Sequence, residues 1–176
     1  ESIKYANSIT INDLKDLLSI YSSDDFEGRQ TGTKGDRAAA NFLREFYINN
    51  QIEPALNTID YFQPYQLNLP GEMYTRNYTF PEKLRAYNRY AEGVNFVDTQ
   101  NVASIIKGEI YPDSYLIITG HLDHVGIDGD EVYNGADDNG SGTVSILEIA
   151  QAFQEAVEDG VRPKRSVVFL HVSGEE

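Results

Sequence analysis

The chain has 176 residues, 40% of them hydrophobic, and carries 28 acidic against 14 basic side chains for a formal net charge of -14. That length supports one domain with a buried core, and the negative balance argues against a nucleic-acid partner, since phosphate binding needs a basic face. Cysteine is absent, which excludes disulfides and thiolate metal sites, and no apolar run is long enough to cross a bilayer.

Thr10 is placed to cap a first helix, with Asp13 three residues on in capping-box spacing. Ile11, Leu14, Leu17, Leu18 and Tyr21 then recur at helical spacing. Residues 22–35 (SSDDFEGRQTGTKG) form a polar, glycine-punctuated loop. Its Glu27, Gly28 and Arg29 read either as functional residues or as a salt-bridged structural turn. A second helix is expected over Asp36 to Asn50, with Ala39, Phe42, Leu43 and Phe46 on one face and Pro54 beyond its end. Residues 61–69 alternate like a strand, and Pro64 requires that strand to lie at an edge or carry a bulge. Residues 71–98, rich in Tyr and Asn and without a period, read as a long connection with at most a short strand.

Residues 101–107 (NVASIIK) and 114–120 (SYLIITG) are expected strands around a turn at 108–113, the second of them buried. Asp128-Gly129 marks the tip of a small hairpin, and Asp128 and Asp130 read as turn residues because no calcium-loop spacing surrounds them. A helix over 140–159 carries Val144, Leu147, Ile149, Ala150, Phe153 and Val157, closed by Gly160 with Pro163 beyond. Residues 165–172 (RSVVFLHV) are a buried strand. Strand, helix and strand at this spacing form a βαβ unit with parallel strands. The expectation is a single α/β domain over residues 1–176, built on a mixed, mainly parallel sheet flanked by helices. Met73 is the only methionine, so Glu1 is not a translation start. Removal of a leader, and hence a secreted or periplasmic location, is expected.

Chemistry concentrates where these strands end. His121 closes one strand, and Asp123 falls on the same side by the strand period, where its carboxylate could hold one imidazole nitrogen and free the other for a metal. Glu175 and Glu176 end the parallel partner, and Asp137-Asp138 lie in the loop entering the intervening helix. In an open α/β sheet, ligands bind at this carboxyl edge. Nitrogen and oxygen donors suit zinc, with manganese and cobalt less selective alternatives. Without a cation the crowded carboxylates would repel one another and titrate upward. The glycines of GADDNGSG (Gly135, Gly140, Gly142) allow tight turning and close access to a ligand. Neighbouring Glu175 and Glu176 cannot both face one ion, so one is expected to bind metal and the other to act as general base on a bound water. Spacing leaves open which does which. His171 reads as a packed strand residue, and His124 as a residue beside the loop.

HLDH at 121–124, GADDNGSG at 135–142 and the strand ending in GEE at 174–176 resemble the two-zinc aminopeptidases, a family that includes bacterial leucyl aminopeptidases and, more distantly, glutamate carboxypeptidase II. DFEGRQTGTKGDRAAANFL at 25–43 resembles the N-terminal region of the same family. The resemblance implies a zinc-peptidase-like α/β/α sandwich and a zinc-dependent exopeptidase, foremost an aminopeptidase acting on the N-termini of peptides or proteins. It implies His121 on one zinc, Asp138 bridging two, Glu176 on the other, Glu175 as general base, Asp123 behind His121, and a cis peptide at Asp138-Asn139. The family draws an aspartate and a histidine ligand from segments after its G-E-E strand, so this chain, ending at Glu176, is expected to be a truncated piece that holds metal weakly and lacks full activity. Two alternatives stand on the same fold: a glutaminyl-cyclase-like acyltransferase with one zinc, and a non-catalytic binding module.

Overall fold

The structure, a computed structural model, describes residues 2–68 and 95–176. Most of the connection expected over 71–98 lies outside the described residues. In chain order the elements are α1 (Ser2–Ala6), α2 (Ile11–Tyr21), a 3₁₀ segment (Asp24–Arg29), α3 (Lys34–Asn49), β1 (Glu53–Pro54), β2 (Phe62–Asn68), β3 (Phe96–Ile106), β4 (Tyr111–His121), β5 (Gly126–Asp128), β6 (Glu131–Tyr133), α4 (Ser141–Glu158) and β7 (Arg165–Val172).

The helices start where local chemistry places them. Thr10 caps α2 by accepting the Asp13 N–H, which satisfies one of the orphan donors of the first turn. Thr33 does the same for α3 through the Asp36 N–H, so that helix begins two residues earlier than the apolar pattern indicates. The short α1 was not visible in the periodicity. It packs against α4, with Lys4 and Tyr5 both donating to Asp159.

The main sheet runs β1-β3-β7-β4, with β2 also paired to β3. It is mixed as expected, but the described strands pair mainly antiparallel rather than mainly parallel: β4 and β7 are parallel, in register from Tyr115↔Ser166 to His121↔Val172, while β1, β2 and β7 are antiparallel to β3. β7 is therefore inserted between two strands adjacent in sequence, and α4 makes the crossover that lets it run parallel to β4. Pro64 sits in β2 at the edge, as its missing N–H requires. The β5–β6 hairpin turns at Gly129-Asp130, one residue later than expected, because Asp128 pairs with Glu131.

The expected burial of β4 is overturned. Residues 114–120 are not a buried strand. β4 lies at the edge of the described sheet and leaves Tyr115, Leu116 and Ile117 46, 52 and 56% exposed. Only β7 pairs with it among the described residues. An apolar run reports what a strand can bury, and its partners decide whether it does.

The helices pack on the face of β7 that carries Val167, Phe169 and His171, all buried. Val168, Leu170 and Val172 on the opposite face are only half-buried. Leu43 and Tyr47 of α3 join Val144, Leu147 and Ala150 of α4 over Val167 and Phe169 in one core. His171 belongs to this core: its Nε2 meets the Tyr47 hydroxyl at 2.7 Å, and its Nδ1 has no hydrogen-bond partner.

Burial pushes the His171 imidazole down to about 3. A base held below its ordinary value takes up a proton more readily unfolded than folded. Its stabilising effect is thus complete above pH 6.5 and is lost as pH falls toward 3. The slope approaches ~1.4 kcal/mol per pH unit within that window. His171→Leu is expected to flatten the fall in stability between pH 6 and 4 by up to one proton, as read from urea midpoints across pH. Equal slopes in the two proteins would show that His171 does not titrate on unfolding.

Candidate metal centre

Three segments arrive at the carboxyl edge of the parallel pair. His121 is the last residue of β4, Glu176 follows the end of β7, and Asp138 sits in an irregular turn, Ala136–Gly140, that leads into α4. One potential ligand atom from each of His121, Asp138 and Glu176 lies within 4.8 Å of the others. His121 Nε2 is 3.0 Å from Asp138 Oδ1. These are the three residues expected to share one or two ions, and the fold brings all three together. Asp137 is exposed and stays outside the cluster. Glu175 is exposed beside it.

Asp123 is fully buried behind His121, and its role is wider than the sequence indicated. His121 Nδ1 lies 3.1 Å from the main-chain oxygen of Asp123 and 3.7 Å from its Oδ1, so the carbonyl, not the carboxylate, makes the orienting contact. The other carboxylate oxygen, Oδ2, accepts the Thr31 hydroxyl at 2.9 Å and the main-chain N–H groups of Glu175 and Glu176 at 3.1 and 3.3 Å. Asp123 thereby ties the β7 exit to the β4 exit. Its Oδ1 is a buried acceptor without a partner, facing the histidine. Such an acceptor is free to take the Nδ1 proton when Nε2 binds a cation.

A second buried carboxylate supports this junction. Asp36 accepts hydrogen bonds from the Gly32 N–H, the Thr99 hydroxyl and the Ser173 hydroxyl, at 2.9, 2.8 and 3.0 Å. Ser173 lies two residues before Glu175, so the network runs from the start of α3 across the sheet to the candidate site. Burial pushes the Asp36 carboxyl upward, opposed by these donors. Nothing in the sequence distinguished Asp36 from an ordinary first-turn aspartate.

Arg29 resolves the choice posed by the E-G-R segment in favour of structure. Its side chain is fully buried and donates to main-chain oxygens: Nε to Leu122 at 2.9 Å, Nη1 to Tyr21 at 3.1 Å and Asn134 at 2.7 Å, and Nη2 to Gly135 at 2.9 Å. Burial lowers its pKa, while Tyr21, Asp123 and Asp138 oppose the shift. One guanidinium thus joins α2, the segment after His121 and the loop that leads to Asp138. Glu27 pairs instead with Lys34.

The glycines of the 135–142 segment serve the protein's own contacts. Gly135 has φ +52°, and a Cβ there would meet the His124 ring at 2.5 Å. At Gly142 a Cβ would meet Asn139 Oδ1 at 2.1 Å. The close approach expected for a ligand is therefore occupied at both positions by neighbouring side chains. The Asp138-Asn139 peptide is cis, as the resemblance implied.

Burial is the largest cause of an upward shift at Glu176, and the nearby Asp138 and Glu175 add to it, while His124 opposes it. The crowding anticipated from the sequence is present, but desolvation outweighs it. No described helix is long and apolar enough to cross a membrane.

Fold and site together define a mixed α/β protein with a histidine–carboxylate cluster at the carboxyl edge of its sheet. Residues 101–176 match the model of peptidase family M28. Aminopeptidase NAALADL1 of Rattus norvegicus is 32% identical over 111 residues, covering 60% of this chain and 13% of that protein. Among solved structures, the glutaminyl cyclase of Macrostomum lignano aligns with a TM-score of 0.65 at 14% identity, covering 99% of this chain and 41% of that one. A Zn-dependent exopeptidase from Parabacteroides distasonis aligns with a TM-score of 0.59 at 14% identity, covering 94% and 47%. The chain thus spans about an eighth of that curated relative and under half of these structures. These matches support the zinc-aminopeptidase-like family read from the motifs, over part of the chain.

Proposed function

We propose that the chain carries part of the active site of a zinc-dependent exopeptidase, specifically an aminopeptidase removing residues from the N-termini of peptides or proteins. The observation that carries this reading is the convergence of His121, Asp138 and Glu176 at one sheet edge. Their donor set, one imidazole nitrogen and two carboxylates, fits zinc, and the unpartnered Asp123 Oδ1 behind His121 fits an imidazole that has turned its far nitrogen to a cation. In this reading His121, Asp138 and Glu176 would be the residues of this chain that hold the metal.

Zinc held there would supply a Lewis acid for the scissile carbonyl and would lower the pKa of water toward neutral. The remaining work falls to side chains of this chain. Glu175 takes the proton of the attacking water and returns it to the departing amine. Asp123 fixes the main chain of both glutamates, so that Glu176 faces the cluster while Glu175 faces the substrate. The formal charge of -14 favours approach of a protonated amino terminus.

The test uses the whole parent chain loaded with zinc. It is offered aminoacyl arylamides, N-blocked peptides with free carboxyl ends, and peptides beginning with glutamine. Release of the N-terminal residue is expected, with zinc retained by elemental analysis. Release of the C-terminal residue alone would make the protein a carboxypeptidase. A ring-closed N-terminal product without peptide cleavage would establish the cyclase alternative, and zinc binding without turnover the non-catalytic one.

A further inference from the structure

The HLDH segment contains a second histidine that neither the motif reading nor the proposed ligand set uses. His124 Nδ1 lies 3.1 Å from Glu176 Oε1, and both side chains are largely shielded from solvent. A carboxylate only accepts, so Nδ1 carries the proton and donates. The ring is held from two sides. Its main-chain N–H donates to the Arg29 carbonyl at 3.2 Å, and its Cγ and Cδ2 press against the Gly135 backbone so closely that a Cβ there would overlap them. Gly135 is in turn fixed by the buried Arg29 guanidinium, which donates to its carbonyl. The imidazole therefore sits in a slot between the loop that carries Asp138 and the end of β7, with its donor aimed at Glu176.

The geometry points to His124 as a positioning residue that holds one oxygen of Glu176 so that the other is presented toward the metal cluster with Asp138 and His121. This inference rests on the metal-site reading above and deepens it. A glutamate side chain has three rotatable bonds, and Glu176 leaves the sheet beyond the last β7 residue, so the strand does not set its direction. Anchoring Oε1 removes that freedom before a cation arrives and favours one-oxygen ligation over two. Groups that orient a ligand in this way account for about 10–100-fold in metal affinity.

Two substitutions separate the hydrogen bond from the packing. His124→Phe keeps a ring against Gly135 but has no donor. His124→Asn loses the ring but places an amide nitrogen near the position of Nδ1. In the whole parent chain, zinc affinity is measured by competition with a chelator, alongside the thermal midpoint of the metal-free protein. His124→Phe is expected to weaken zinc binding by about 10–100-fold with a near-normal metal-free midpoint, and His124→Asn to stay within about threefold of wild type, below that range. If His124→Phe binds zinc as wild type does, or if only His124→Asn weakens, the hydrogen bond positions nothing and the inference is overturned. A wild-type chain that binds no zinc would instead overturn the site reading on which it rests.

Discussion

Glu175→Gln in the whole parent chain is expected to lower turnover by about 10²–10⁴-fold while zinc content stays near wild type. The substitution keeps size and packing and removes only the proton acceptor. Its neighbour behaves differently. Glu176→Gln is expected to lose zinc on dialysis and to recover part of its activity when zinc is added back, because a carboxylate ligand becomes a neutral amide. The physical basis is the turn after β7. Asp123 Oδ2 accepts the N–H of both glutamates, which fixes the main chain, and only Glu176 then reaches His121 and Asp138. Elemental analysis and steady-state rates of both variants decide the matter. Zinc loss from Glu175→Gln with retention in an inactive Glu176→Gln would reverse the two roles. Full activity in both would remove the proposed mechanism.

The second large effect lies away from the cluster. Arg29→Met is expected to destabilise the whole metal-free chain by about 3–5 kcal/mol, measured as a shift in urea midpoint at unchanged slope. Methionine fills most of the volume but removes the shared donor of the oxygens of Tyr21, Leu122, Asn134 and Gly135, of which Leu122 keeps the Tyr21 hydroxyl and Gly135 the Gly140 N–H. Unpaired buried acceptors cost about 1–3 kcal/mol each when they cannot reach water, and some of these will relax toward solvent. Arg29→Lys is expected to recover only part of the loss, because a compact ammonium cannot span the fork of a guanidinium. A destabilisation below about 1 kcal/mol would place Arg29 among ordinary surface substitutions and contradict its burial.

These expectations draw unequally on sequence and structure. The apolar period of α2, α3 and α4 was legible because each helix turns one stripe to a common core. Thr10, Gly160 and Pro163 marked ends because capping and chain reversal depend on near neighbours. The β7 strand was read to its observed limits, Arg165 to Val172, and the placement of His121, Asp138, Glu175 and Glu176 at strand and loop ends followed from counting along single elements. The burial of β4 was misjudged by the same method, since an apolar composition does not reveal whether a strand has one neighbour or two.

The sequence by itself determined the three long helices, strand β7 and the segments that reach the sheet edge, because periodicity, capping and strand length are local properties, while the choice of Asp138 over Asp137 and of Glu176 over Glu175 came from the family resemblance. Only the tertiary structure decided which polar residues hold those three in place. Asp123 with the Glu175 main chain, Arg29 with Gly135, Asp36 with Ser173, and His124 with Glu176 lie 52, 106, 137 and 52 residues apart. Three of these meetings, all but that of Arg29 with Gly135, depend on β7 entering between β3 and β4. A buried polar group is defined by the donor or acceptor it finds, and no local pattern along the chain encodes a partner that distant.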